Sequence, residues 1–173
     1  MACNWFYFPN TQRAPEILLR TVQVFNTNEE LIASETHSLN SNEVLAVLSD
    51  DLEECGYAIE RGKKKDDLLE MPVLFKENGI TEKVFYADGF HDGAGVVLEV
   101  EAGRAVANNQ FLKDFFEACM MVDAKYLCIA VRNTYTSNSY TSKDFERVCT
   151  FFKTLYASNR LNIPLEGLLV IGY

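Results

Sequence analysis

The segment Lys83 to Arg104, KVFYADGFHDGAGVVLEVEAGR, constrains the fold more than any other stretch of this chain. Val84, Tyr86 and Asp88 alternate with Phe85, Ala87 and Gly89. After the turn-forming Asp92-Gly93-Ala94-Gly95, the run Val97, Glu99, Glu101 alternates with Leu98 and Val100. A period of two on either side of a glycine-rich turn reads as a β-hairpin. If the turn pairs His91 with Val96, counting back along an antiparallel ladder sets Asp88 opposite Glu99, with Glu101 two residues further along the same face.

Like charges opposite one another destabilise a sheet, and neighbouring carboxylates push one pKa upward unless a cation compensates. Mg²⁺ suits such a place because it accepts one or two carboxylates and keeps several waters. The plainer alternative leaves Glu99 and Glu101 on the solvated face of an ordinary strand.

The residues around this hairpin carry a resemblance. Asp88 followed by Glu99-Val100-Glu101 resembles the active-site hairpin of the PD-(D/E)XK nuclease superfamily, the fold of many type II restriction endonucleases. In that family an Asp late in one strand precedes a Glu-x-Lys in the next; Glu101 stands here in the place of the usual Lys. The resemblance implies that Asp88, Glu99 and Glu101 are catalytic, and that Asp88, Glu99 and the Val100 carbonyl hold Mg²⁺, with Mn²⁺ as a substitute. Glu101 would orient or deprotonate the attacking water or help hold a second ion. It further implies DNA as the substrate and, because a duplex has two strands to cut, a homodimer.

The order of elements fits that resemblance over roughly residues 41 to 135. Ser41 to Cys55 has Val44, Leu45, Val47, Leu48 and Leu52 on one helical stripe, with Ser41 or Asn42 as cap and Gly56 just beyond. Tyr57 to Glu60 reads as a short strand and is followed by the hairpin. A helix from about Asn108 to Met121 comes next, with Phe111, Leu112, Phe115, Phe116 and Cys119 on its apolar side and Asn108 or Asn109 as cap. The apolar run Tyr126 to Val131 reads as a strand, Ser142 to about Ala157 as a helix, and Leu168 to Ile171 as a last strand. The expected fold class is therefore α/β, with a restriction endonuclease-like core in which helices flank a central mixed sheet.

The 173 residues are enough for one substantial core, and no Pro-, Gly- or Ser-rich linker divides them, so a single domain over 1–173 is expected. Residues 1–40 read as an extension of uncertain structure, with short helices at Pro15 to Phe25 and Asn28 to Ser34. No apolar run approaches the ~18 residues of a membrane span, and the N-terminus lacks the pattern of a secretory signal. A cytoplasmic protein without membrane attachment is the expectation. Five cysteines, widely spaced and odd in number, show neither zinc spacing nor a disulfide framework and read as reduced. His37 and His91 are too few for a His-based zinc site. His91, beside the hairpin turn, reads as a turn residue ahead of a substrate contact.

Charge runs against a nucleic-acid partner. The chain carries a formal net charge of −9, whereas affinity for duplex DNA comes largely from neutralising phosphates. Binding then has to rely on a local basic rim. Arg104 and Lys113 follow the hairpin and are the candidate substrate-binding residues. Arg61, Lys63, Lys64 and Lys65 form a second cluster that Asp66 and Asp67 partly cancel. The acidic total and the missing Lys together favour an alternative function: a noncatalytic nuclease-fold subunit that binds a protein partner.

Overall fold

Two apolar six-residue runs set the centre of the molecule. Tyr126–Val131 and Gly167–Gly172 are too short for stable helices, and both are almost wholly buried, as strands covered on both faces must be. The computed structural model describes residues 2–62, 64–103, 105–137 and 140–173. In chain order its strands are β1 (Asn4–Phe8), β2 (Ala58–Ile59), β3 (Leu69–Phe75), β4 (Thr81–Ala87), β5 (Gly89–His91), β6 (Val96–Glu101), β7 (Tyr126–Val131), β8 (Tyr135–Ser137), β9 (Tyr140–Ser142) and β10 (Gly167–Gly172). The helices are α1 (Glu16–Thr27), α2 (Glu29–Ile32), α3 (Ser41–Glu54), α4 (Gln110–Met120) and α5 (Asp144–Ser158).

The central sheet has six strands in the order β1-β10-β7-β6-β5-β2. β6, β7 and β10 run parallel, while β1, β5 and β2 join antiparallel. Parallel neighbours need long crossovers. α4 lies between β6 and β7 in the chain, and α5 lies between β7 and β10. One face of the sheet packs Val96, Leu98, Val100, Cys128 and Ala130 against Leu18 and Phe25 of α1 and Leu45 and Leu48 of α3. The other face packs Val97, Leu127, Ile129 and Val170 against Phe111 and Phe115 of α4 and Phe152 of α5. The result is the mixed sheet between helical layers that the sequence pattern predicts.

Several details differ from the sequence reading. β1 is an edge strand built from residues that carry no readable period; Tyr7 and Phe8 face opposite cores. α3 is capped by Asn40 rather than Ser41 or Asn42: the Asn40 side chain accepts from the Glu43 N–H while Glu43 accepts from the Asn40 N–H, a reciprocal capping box. Ser41 instead accepts from the Ala102 N–H, tying α3 to the end of β6. Phe116, placed on the apolar side of α4 by its sequence, is 53 % exposed. The buried residues of α4 are Phe111, Asp114, Phe115 and Ala118. All five cysteines are free thiols. Among the described residues no helix is long and apolar enough to cross a membrane.

The single strand expected from Val84 to His91 is two strands. β4 pairs with β3 in a separate two-stranded ribbon, and the chain bends at Asp88 before β5 enters the central sheet. β3 was not anticipated, because Pro72 and the register shifts around Leu74 interrupt its alternation.

Candidate active site at the end of β6

The hairpin turn places His91 opposite Val96, Phe90 opposite Val97 and Gly89 opposite Leu98, the register expected from the sequence. The ladder stops there. Gly89 is required by a close approach, since a Cβ at this position would come within 2.9 Å of the Ile59 side chain and 3.3 Å of Leu98 Cβ. At the bend, the Asp88 backbone oxygen accepts from the Glu60 N–H at 2.8 Å, and Asp88 Oδ2 accepts from the Val100 N–H at 2.7 Å. Asp88 thus leaves the ladder and uses its carboxylate to satisfy the next backbone donor of β6.

Glu99 and Glu101 alternate with Leu98, Val100 and Ala102 along β6, so they face α4 while their neighbours face α3. Glu99 is only 9 % exposed and Asp114, on the buried side of α4, only 3 %. Asp88, Glu99, Glu101 and Asp114 therefore form one carboxylate cluster between the sheet and α4. Burial pushes Asp88 up to about 6, with the Val100 N–H pulling the other way. Burial followed by repulsion from Asp88 and Asp114 holds Glu99 well above the usual carboxylate range. Burial, then Asp114 and Asp88, pushes Glu101 up to about 8. Asp114 rises to about 6, again chiefly by burial. Glu60, at the edge of the cluster, is raised by burial and by Asp88.

Lys113 lies beside this cluster, as the sequence predicts, with Nζ 3.3 Å from Glu117 and 3.9 Å from Asp114. Partial burial lowers its pKa, but Glu117 and Asp114 more than offset this and the net shift is upward. Its side chain is 57 % exposed, so it can turn outward. Arg104, the other candidate for substrate binding, lies outside the described residues, as does Lys63 of the second basic cluster. Arg61 is paired with Glu53. His91 has a packing role: its Nδ1 accepts from the Ala94 N–H at 3.1 Å and its ring meets Tyr57 edge-on at 5.3 Å.

Asp114 is the member of the cluster that sequence reading missed. Its signal was present. A carboxylate three residues after Phe111 and four before Ala118 falls on the buried stripe of an amphipathic helix. Among the described residues no three His, Cys, Asp or Glu side chains are already drawn into one ligand set. The chemistry of the donors nevertheless fits a hard divalent ion: all are carboxylate oxygens, and Asp114 Oδ2 is buried without a hydrogen-bond partner.

No protein-family model matches the chain, and no curated protein matches it in sequence. Among solved structures it is similar to restriction endonuclease BglII, in a crystal structure with a DNA 16-mer. The TM-score is 0.52 at 12 % sequence identity, over 99 % of this chain and 76 % of that one. At that identity the likeness is one of architecture, and the chain has a restriction endonuclease-like fold.

Proposed function

We propose that the protein is a Mg²⁺-dependent endonuclease that hydrolyses phosphodiester bonds of DNA, with Mn²⁺ able to replace Mg²⁺. The observation that carries this reading is the partly buried carboxylate cluster of Asp88, Glu99, Glu101 and Asp114, lying on the hairpin and helix of a restriction endonuclease-like fold. Gathering four carboxylates, Glu99 and Asp114 buried and Asp88 and Glu101 half-buried, beside one half-exposed lysine costs free energy that packing does not return. A chain that gains nothing from them would be more stable with apolar residues there.

In this reading Asp88 and Glu99 hold the ion, with the Val100 carbonyl as a further ligand by family resemblance. A bound Mg²⁺ lowers the pKa of its water and neutralises charge on the phosphoryl oxygen. Glu101 orients the attacking water and accepts its proton where the family more often uses Lys. The water oxygen bonds to phosphorus, the P–O3′ bond breaks, and the 3′ oxygen takes up a proton, leaving a 5′-phosphate and a 3′-hydroxyl. Lys113 and Arg104 contact phosphates. Two strands call for two sites, so the active form is a homodimer.

Supercoiled plasmid and linear duplexes incubated with the full chain in Mg²⁺ or Mn²⁺ should be cleaved, whereas Asp88→Asn and Glu99→Gln should fall by at least about a hundredfold. Equal cleavage by wild type and Glu99→Gln would dismiss the catalytic assignment.

A second reading, a noncatalytic protein-binding subunit, is favoured by one specific observation. Phe116, Met120 and Val122 at the end of α4 are exposed, as are Leu74, Phe75 and Ile80 near the tip of the β3–β4 ribbon. Exposed apolar groups of this size mark contact surfaces when they are contiguous. A metal-independent complex and no cleavage would favour it.

A further inference from the structure

Charge is spread unevenly along this chain. Between Ala124 and Leu165 six Lys or Arg residues stand against only Asp144 and Glu146, although the chain as a whole carries −9. Within that stretch lies the run RNTYTSNSYTSK from Arg132 to Lys143, in which every side chain can hydrogen-bond and none is acidic.

The fold stands much of this run up as a blade. β8 and β9 form a two-stranded ribbon apart from the central sheet, with Tyr135 opposite Ser142 and Thr136 opposite Thr141. Ser142 is buried, and Tyr140, two residues before it on the same face, accepts from Arg147 Nη1 at 2.9 Å, so that face turns towards α5. Thr136 and Thr141 lie on the opposite face. Both are exposed, and their hydroxyl oxygens are 3.4 Å apart. A lone ribbon is marginal in water, but the base of this one is fastened. The Asn133 N–H donates to the Tyr173 carbonyl at 2.8 Å and the Phe145 N–H to the Arg132 carbonyl at 3.2 Å. The Arg132 guanidinium donates to the Leu39 carbonyl and lies 5.8 Å from the centre of the Tyr135 ring.

The ribbon rises from the sheet edge that carries the carboxylates. β7 ends at Val131, the register partner of Glu101, and β8 begins at Tyr135. Because β6 and β7 are parallel, α4 and α5, which follow them in the chain, both start at this edge. Lys113 and Lys143 therefore share it with the ribbon. Two strands lie about 4.8 Å apart, so a ribbon with its side chains fits the roughly 12 Å major groove of B-DNA. Threonine suits base edges there, since its hydroxyl both donates and accepts, its methyl meets that of thymine, and it carries no charge to repel phosphate.

We propose that the β8–β9 ribbon enters the major groove of duplex DNA and reads base sequence with Thr136 and Thr141, while Lys143 contacts a flanking phosphate. Lys143 is paired with Glu146 at 2.8 Å, but both are exposed and such a pair yields readily to a phosphate. Arg147 acts through Tyr140, as a positioning residue. The proposal rests on the nuclease reading and adds to it a source of sequence preference, which phosphate contacts by Lys113 do not supply.

The test selects duplexes from a randomised library with the full chain in Ca²⁺, comparing wild type with Thr136→Val/Thr141→Val and Thr136→Ser/Thr141→Ser. Valine keeps the shape and the strand preference while removing both hydroxyls; circular dichroism and melting check that each variant is folded. Wild type should enrich a base motif. The Val pair should lose about fivefold or more of the discrimination at one or two of its positions, and the Ser pair should keep it. Replacing purine N7 by carbon at those positions, a change confined to the major groove, should weaken wild-type binding, and this arm decides even if the Val pair fails to fold. A motif that survives the Val pair unchanged, binding indifferent to N7, or binding with no preference at all would overturn the ribbon, while Mg²⁺-dependent cleavage would keep the nuclease reading intact. No duplex binding and no cleavage would remove both and favour the protein partner.

Discussion

The two faces of β6 solve the same burial problem in opposite ways. Leu98, Val100 and Ala102 face α3 and are 0–2 % exposed, all of them apolar. Glu99 and Glu101 face α4 from the same backbone, flanked by the apolar side chains of β7 in the register Glu99 to Ile129 and Glu101 to Val131. Removing apolar surface from water stabilises the first face. Removing carboxylates from water penalises the second, and the penalty appears as raised pKa values throughout the cluster. One strand thus carries an apolar face that stabilises the fold and a carboxylate face that burial alone destabilises.

Adjacent substitutions can break this comparison. Leu98→Ala should destabilise the protein by about 2–5 kcal/mol, because it leaves a cavity against α3 beside the closely packed Gly89. Glu99→Gln, one residue away and also buried, should not lower the melting temperature in chelator and should raise it at alkaline pH, since it removes a group that resists ionising. Melting both variants in EDTA checks the contrast. A large loss of stability in Glu99→Gln would mean that its carboxylate is a structural anchor.

A smaller effect follows from pH. Asp88 and Asp114 rise from 3.8 to about 6, and Glu101 from 4.5 to about 8. Between the ordinary and the raised values the folded state binds more protons than the unfolded one, so unfolding free energy falls as pH increases. The contribution is fully present below about pH 4 and is lost as pH passes through 6 and then 8. Metal-free protein should therefore melt higher at pH 6 than at pH 8. Mg²⁺ should narrow that gap, because it binds the ionised cluster of the folded state. A melting temperature that is flat across this range in EDTA would show that the carboxylates are solvated.

What the sequence made legible, and what it did not, follows from the same physics. α3, β6, β7 and β10 were readable because their burial is apolar and periodic. The hairpin register was readable because Gly89 and the Asp92 to Gly95 turn leave few alternatives. β1 was hidden, since four consecutive aromatics after Asn4 show no period. The bend at Asp88 was hidden because alternation continues through it while the hydrogen-bond partner changes from β3 to β6. Asp114 was hidden for a different reason. In a helix reading, a polar residue is assigned to the solvent face by default, and only the spacing from Phe111 and Ala118 argues otherwise. A net charge of −9 describes the whole chain and carries no information on how charge is distributed around the carboxylates.

The smallest expected effect tests that rim. Lys113 projects from the first turn of α4 beside the carboxylates, half exposed and held at 3.3 Å by Glu117. An exposed ion pair of this kind is worth little, about 0–1 kcal/mol, so a phosphate can displace Glu117 without much cost. If Lys113 contacts one phosphate, Lys113→Ala should weaken duplex binding about equally for all sequences and reduce the slope of log affinity against log salt by about 0.9. Arg104→Ala should add a similar decrement, and the double variant roughly their sum. The measurement is duplex affinity at several salt concentrations with Ca²⁺ in place of Mg²⁺ to discourage cleavage. Unchanged slopes would place the DNA elsewhere on the fold, whereas undetectable binding by the wild type would shift the acidic face of β6 and α4 from a catalytic role toward a protein partner.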